Sequence, residues 1–187
     1  MAWHPDHKQH SRKRILNAAA TLFARKGFDN TGINDIMEEA GMTRGAFYHH
    51  FSSKRELYQE SLRNAAINRF RQALQDPDDL QSGVDLKRLI ETYLDPSHPL
   101  GIDGGCPMAF LVTDIAQRDE TIRSTYTGLL QGMLHRVQAA TGSDQQAVLR
   151  QLVLMIGGVA IARAVNNDEL RLQLLDACKQ GLLPTQE

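Results

Sequence analysis

The sequence predicts an all-α protein of about nine helices, an N-terminal three-helix unit followed by a larger helical half. Three observations carry that expectation. Apolar residues recur at the spacing of one helical face through most of the chain, no stretch alternates at the period of a strand, and capping or stopping residues stand between the runs.

Ile15, Leu16, Ala19, Leu22 and Phe23 mark the first helix, and Gly27-Phe28 stops it. Ile33, Ile36, Met37 and Ala40 draw a short second helix behind Thr31, a capping residue. Gly41 ends it, since glycine takes the left-handed C-terminal position without steric cost. Thr43 then caps a third helix of about two turns through His50. Its inward side is Ala46, Phe47 and Phe51, and its opposite face is Arg44, Gly45, Tyr48 and His49. Guanidinium, phenol and imidazole groups suit phosphates or base edges, and glycine lets a backbone come close. Ser53 and Glu56 form an S-x-x-E capping box that sets Lys54 in the first turn of helix four, where an ammonium and free amides suit a phosphate. That helix is predicted from Lys54 to about Leu74, its face marked by Leu57, Leu62, Ala66, Ile67 and Phe70.

The segment TGINDIMEEAGMTRGAFYHHFSSKRELY, residues 31 to 58, together with RKRILNAAATLFARKGF before it, resembles the DNA-binding domain of the TetR family of bacterial transcriptional repressors. The resemblance covers about residues 10 to 62. It implies that the third helix enters the major groove and that Thr43, Arg44, Tyr48, His49 and Lys54 contact DNA; Thr31 and Gly45 complete the candidate set. Gly32 departs from the Ser or Thr more common there, which puts one side-chain phosphate contact in doubt.

Charge is distributed to match. The net charge is −1, but residues 1–55 hold nine Lys/Arg against five Asp/Glu, and the rest holds 12 against 17. Phosphate neutralisation needs that basic end. His4, His7 and His10 with Lys8, Arg12, Lys13 and Arg14 form either an arm reaching DNA backbone or minor groove, or a polar disordered terminus. Their spacing fits no zinc pattern, and no metal or cofactor is expected. Enzyme motifs are absent from the sequence, so a non-enzyme is expected.

The division expected is a DNA-binding domain over 1–53, a linking helix over 54–74 and a regulatory and dimerisation domain over 75–187. Asp76–Asp79 and Ser82-Gly83 read as loop, Val84 to about Leu94 as a short helix, and Asp95–Gly105 as loop alone. Pro107 suits the first position of a helix running through Phe110, Leu111, Asp114 and Ile115. A helix over Glu120–Ala140 follows. Ser143 with Gln146 opens the next helix, and Asn166 with Glu169 the last, through about Gln180. Residues Leu152–Val165 are apolar nearly all round and predict burial on more than one side, with Gly157-Gly158 admitting a close neighbour. The resemblance implies a homodimer through the last two helices, about 144–180, the alternative being burial within one chain. Two-fold proteins gain specificity on palindromic half-sites.

The resemblance also places a small-molecule inducer in the C-terminal half. Tyr93, Met108, Phe110, Leu111, Asp114, Tyr126, Leu130, Met133 and Met155 are either its lining or plain core, with Asp114 and Tyr126 as polar anchors. Cys106, before Pro107 in GGCPM, is a candidate redox or electrophile sensor if helix-end amides lower its pKa, a segment similar to that of electrophile-sensing members of the family. The function expected is a repressor released from a palindromic operator by an inducer. The alternatives are a thiol-sensing repressor and a ligand-independent DNA-binding or adaptor protein. A polar start and a longest apolar run of 11 residues, Leu152–Ala162, predict a cytoplasmic protein without leader or membrane span.

Overall fold

The computed structural model describes residues 5–74, 85–101 and 105–183, the side chains of 5–7 and 70–74 excepted. His4, the loop over 76–83, Val84 and the packing of Phe70 lie outside the described residues. Within them the chain is all-α, with eleven helices and no strand.

The order is α1 (Pro5–Lys26), α2 (Ile33–Glu39), α3 (Arg44–Tyr48), α4 (Lys54–Leu74), α5 (Leu86–Tyr93), α6 (Ser97–Leu100), α7 (Pro107–Phe110), α8 (Val112–Ala116), α9 (Glu120–Thr141), α10 (Gln145–Ala164) and α11 (Asp168–Leu182). The basic stretch before residue 14 is therefore helical from Pro5 onward. α1 stops where Gly27 turns to a φ of +74° and donates its N–H to the Phe23 carbonyl at 2.8 Å.

Several local expectations need correction. Asp95–Gly105 is not all loop, because Ser97–Leu100 close a turn of helix ended by Gly101 at φ +68°. The helix from Pro107 breaks at Leu111, whose φ of −114° and ψ of 8° separate α7 from α8. α10 is capped by Asp144, which accepts from Ala147 N–H, and α11 by Asn167, which accepts from Leu170 N–H; each lies one residue beyond the predicted cap. Ser53 Oγ does accept from Glu56 N–H at 3.1 Å, but the Glu56 carboxylate reaches back to Ser52 N–H and hydroxyl instead of to Ser53 N–H.

Two cores organise the molecule. The first gathers α1, α2 and α3 around Ile15, Phe23, Ile36, Phe47 and Phe51, and draws in Leu57, Tyr58 and Leu62 of α4 with Leu111, Ile115 and Ile122. Each large apolar side chain removed from water there contributes about 1.5–3 kcal/mol. Tyr58 meets Phe23 edge-on at 4.7 Å and Phe28 at 5.1 Å, geometries that add roughly 0.5–1.5 kcal/mol per pair. The second core joins α5, α7, α9, α10 and α11 through Leu89, Tyr93, Met108, Val137, Val148, Leu152 and Met155. Phe110, Tyr126 and Leu129 touch both.

α10 is 20 residues long and, by length and composition only, apolar enough to cross a membrane. In the fold its Val148, Leu152, Met155 and Val159 are buried while Val153, Leu154 and Ile161 are exposed, so within one chain it is not covered on several sides as expected. Gly158 makes the predicted close approach: a Cβ there would lie 2.6 Å from Cys178 Sγ on α11. Gly157 faces open space.

Candidate nucleic-acid interface

α2, a turn and α3 form a packed frame. Gly41 supplies the turn at φ +63°, and Arg14 of α1 donates to the Ala40 carbonyl at 2.6 Å, holding the C-terminus of α2. A Cβ at Gly41 would lie 2.8 Å from that guanidinium. Phe47 is fully buried against Phe51 and anchors the inner face of α3. The outer face is thereby fixed: Thr43, Arg44, Gly45, Tyr48 and His49 are all exposed and share one side. Tyr48 is 57% exposed, its ring touching the protein only edge-on at Phe47 among the aromatic contacts. α3 spans only Arg44–Tyr48, with His49 and His50 in the turn that follows, and Thr43 occupies the cap position without a side-chain cap bond.

Two candidates are placed differently from expectation. Thr31 is 1% exposed and donates its hydroxyl to the Gly27 carbonyl at 2.7 Å, which removes it from a DNA-facing surface; Gly32 is the residue that caps α2, its N–H bonded to Asp35. Lys54 is half-buried, with its ammonium 4.2 Å from the Phe28 ring centre, and burial lowers its pKa. It stands at the start of α4 as predicted, but one face of its cation is occupied by an aromatic ring.

The corner that carries Phe28 also receives α8. Asp114 accepts Phe28 N–H at 3.1 Å on one oxygen and Tyr58 O–H at 2.5 Å on the other, so burial and the neighbouring carboxylate push the Tyr58 phenol up. Arg118 forks onto both oxygens of Asp29 at 2.9 and 2.7 Å and lies 5.2 Å from the Phe28 ring centre. From α10, Arg163 donates to the Ala24 carbonyl at 2.9 Å and stacks 3.8 Å from the Phe110 ring centre. Asp29, Arg118 and Arg163 carried no local signal in the sequence, because each acts across a separation of 89 or 139 residues.

These bonds correct the reading of the regulatory half. Asp114 is not a free anchor for a ligand; both its oxygens serve the DNA-binding core. Tyr126 likewise donates its hydroxyl to the Met108 carbonyl at 2.9 Å, and its pKa is pushed up to about 12 by burial. Leu111 belongs to the first core, whereas Tyr93, Met108 and Met155 are buried in the second, with Phe110, Leu130 and Met133 half-buried against it. Cys106 does cap α7, yet it is 2% exposed and 3.4 Å from the Tyr93 hydroxyl. Burial raises its thiol pKa, outweighing the bonds from Tyr93, Met108 and Ala109 that lower it, so the expected activation by helix-end amides is not met. Cys178 is half-buried on α11, and burial raises its pKa too.

A packed helix-turn-helix with an exposed polar reading face defines a DNA-binding regulator. The family model described as bacterial regulatory proteins, tetR family, matches residues 15–61, a segment that holds the whole of this helix-turn-helix. The chain is 26% identical over 149 residues to an uncharacterized HTH-type transcriptional regulator in the lacX 3' region of Lactococcus lactis subsp. lactis, an alignment covering 72% of this chain and 71% of that one. With the HTH-type transcriptional repressor KstR2 of Rhodococcus jostii (strain RHA1) it shares 34% identity over 94 residues, 49% of this chain but only 43% of the relative. The reduced form of NemR from E. coli shares the fold at a TM-score of 0.71 and 19% identity, over 95% of this chain and 98% of that one.

Proposed function

We propose that this protein is a TetR-family regulator, a homodimeric repressor that binds a palindromic operator in the cytoplasm and is released by a small-molecule inducer. The observation that carries the reading is the outer face of α3, where the side chains of Thr43, Arg44, Tyr48 and His49 are exposed on a frame fixed by Phe47. Dimerisation is supported by Val153 (68% exposed), Ile161 (55%), Leu170 and Leu172, apolar side chains bared on α10 and α11 beside the open Gly157. Repression is favoured by the likeness to KstR2, a transcriptional repressor. Induction is supported by the bonds of Asp114, Arg118 and Arg163, which give α8 and α10 a direct hold on the first core. An inducer that prefers one arrangement of those helices lowers operator affinity by that preference alone.

The test is selection of genomic fragments by the purified protein, with sedimentation in parallel. Enrichment of a palindrome, and a dimer that becomes monomer in Ile161→Glu, are the expected results. Recovery of fragments without a shared palindrome, or a wild-type protein that sediments as a monomer, overturns the respective half of the proposal, and an unchanged dimer in Ile161→Glu overturns the assignment of the interface to this face of α10.

A further inference from the structure

Between the N-terminal turns of α1 and the outer edge of α3 runs an open cleft of about 660 Å³. Lys8, His10 and Arg14 line it on one side, and Thr43, His49 and His50 on the other. Thr43 and His49 belong equally to the reading face, so cleft and face form one continuous surface. Among the described residues that line it, none is a carboxylate. From His7 to Phe28 the sequence holds six Lys/Arg and no Asp or Glu, and the Arg12 guanidinium, which pairs with Glu60 of α4, stands beside the Phe51 ring below. His50 Nδ1 is buried without a hydrogen-bond partner. Its protonation is disfavoured by burial first and then by Lys8, Arg12 and His49, which is how a positive local field acts on an imidazole.

We propose that this cleft seats the sugar–phosphate strand bordering the major groove, so that Lys8 and His10 of α1 extend the phosphate grip beyond the reading helix. The inference rests on α3 facing DNA. A concave, carboxylate-free surface continuous with that face suits a polyanion whose charges repeat along a strand. Because such contacts carry no sequence information, they act on any duplex and are read as salt dependence.

The experiment follows fluorescence anisotropy of a random-sequence duplex, about 30 base pairs long, across a potassium chloride series. Wild type, Lys8→Ala, Lys8→Ala with His10→Ala, and Lys87→Ala are compared at equal thermal stability. Lys87 is exposed on α5 outside the cleft and controls for net charge. The expected result is a slope of log affinity against log salt that flattens by about 0.9 for each phosphate that Lys8→Ala leaves without its cation, with Lys87→Ala matching wild type. Slopes equal to wild type in the cleft variants overturn the proposal, as does equal flattening in Lys87→Ala. A wild-type protein that fails to bind the duplex overturns instead the reading that α3 faces DNA.

Discussion

The outer face of α3 and the corner around Phe28 are both rich in polar groups, yet they use them in opposite ways. On α3, the side chains of Arg44, Tyr48 and His49 are exposed and make no hydrogen bond within the protein among the described residues. At the corner, Asp114, Tyr58, Arg118 and Asp29 are bonded to one another or to backbone. Groups left unbonded on a rigid frame are available to a partner, whereas groups bonded inside hold two parts of the chain together. Substitutions should therefore separate cleanly, with affinity lost at the first place and stability at the second.

The largest effect is expected from Asp114→Ala, which strands Phe28 N–H and the Tyr58 hydroxyl and should cost about 2–4 kcal/mol in denaturant unfolding. If stability held while DNA binding alone fell, the contrast between the two regions would collapse. Arg44→Ala should leave unfolding within about 0.5 kcal/mol of wild type while relaxing preference at one base pair by about 1–3 kcal/mol, read from binding to single-base operator variants. Equal loss on operator and random DNA would assign Arg44 to phosphate instead. Cys106, buried and with its thiol pKa raised, should react with N-ethylmaleimide at neutral pH no faster than a free thiol and speed up only under unfolding conditions. Rapid labelling of the folded protein would revive the thiol-sensing alternative.

The smallest effect concerns acid. The Ser52 hydroxyl and N–H hold the Glu56 carboxyl below its ordinary value of 4.5. A lowered folded pKa means stability that is present above the unfolded value and lost as pH falls through the folded one. Glu56→Gln should therefore shave a little stability near neutrality and flatten the decline below that range, as followed by unfolding midpoints across pH.

The helix-turn-helix was legible because its signals are local: apolar spacing over Ile33–Ala40, one glycine at a positive φ, and Phe47 with Phe51 placed to face inward. Helix ends shifted by one residue where two capping side chains stand together, Ser143 beside Asp144 and Asn166 beside Asn167; the phase of the helix against its core selects between them. α6 was hidden because four residues, one of them a proline, show no period. Thr31 misled because a hydroxyl before a helix caps it or turns inward with equal local sense, and here the Gly27 carbonyl takes it. The role of Asp114 depends on partners 56 and 86 residues away and leaves no mark on its own neighbourhood.

Arg163 gives the reach from α10 to the Ala24 carbonyl a consequence for exchange of parts between regulators. A cut after residue 53 looks like a natural seam, but Arg163, Asp114 and Arg118 cross it. A chimera that grafts this reading head onto a foreign regulatory half will need acceptable substitutes for all three, and a donor half should be chosen for that match at the first helix before any match in ligand.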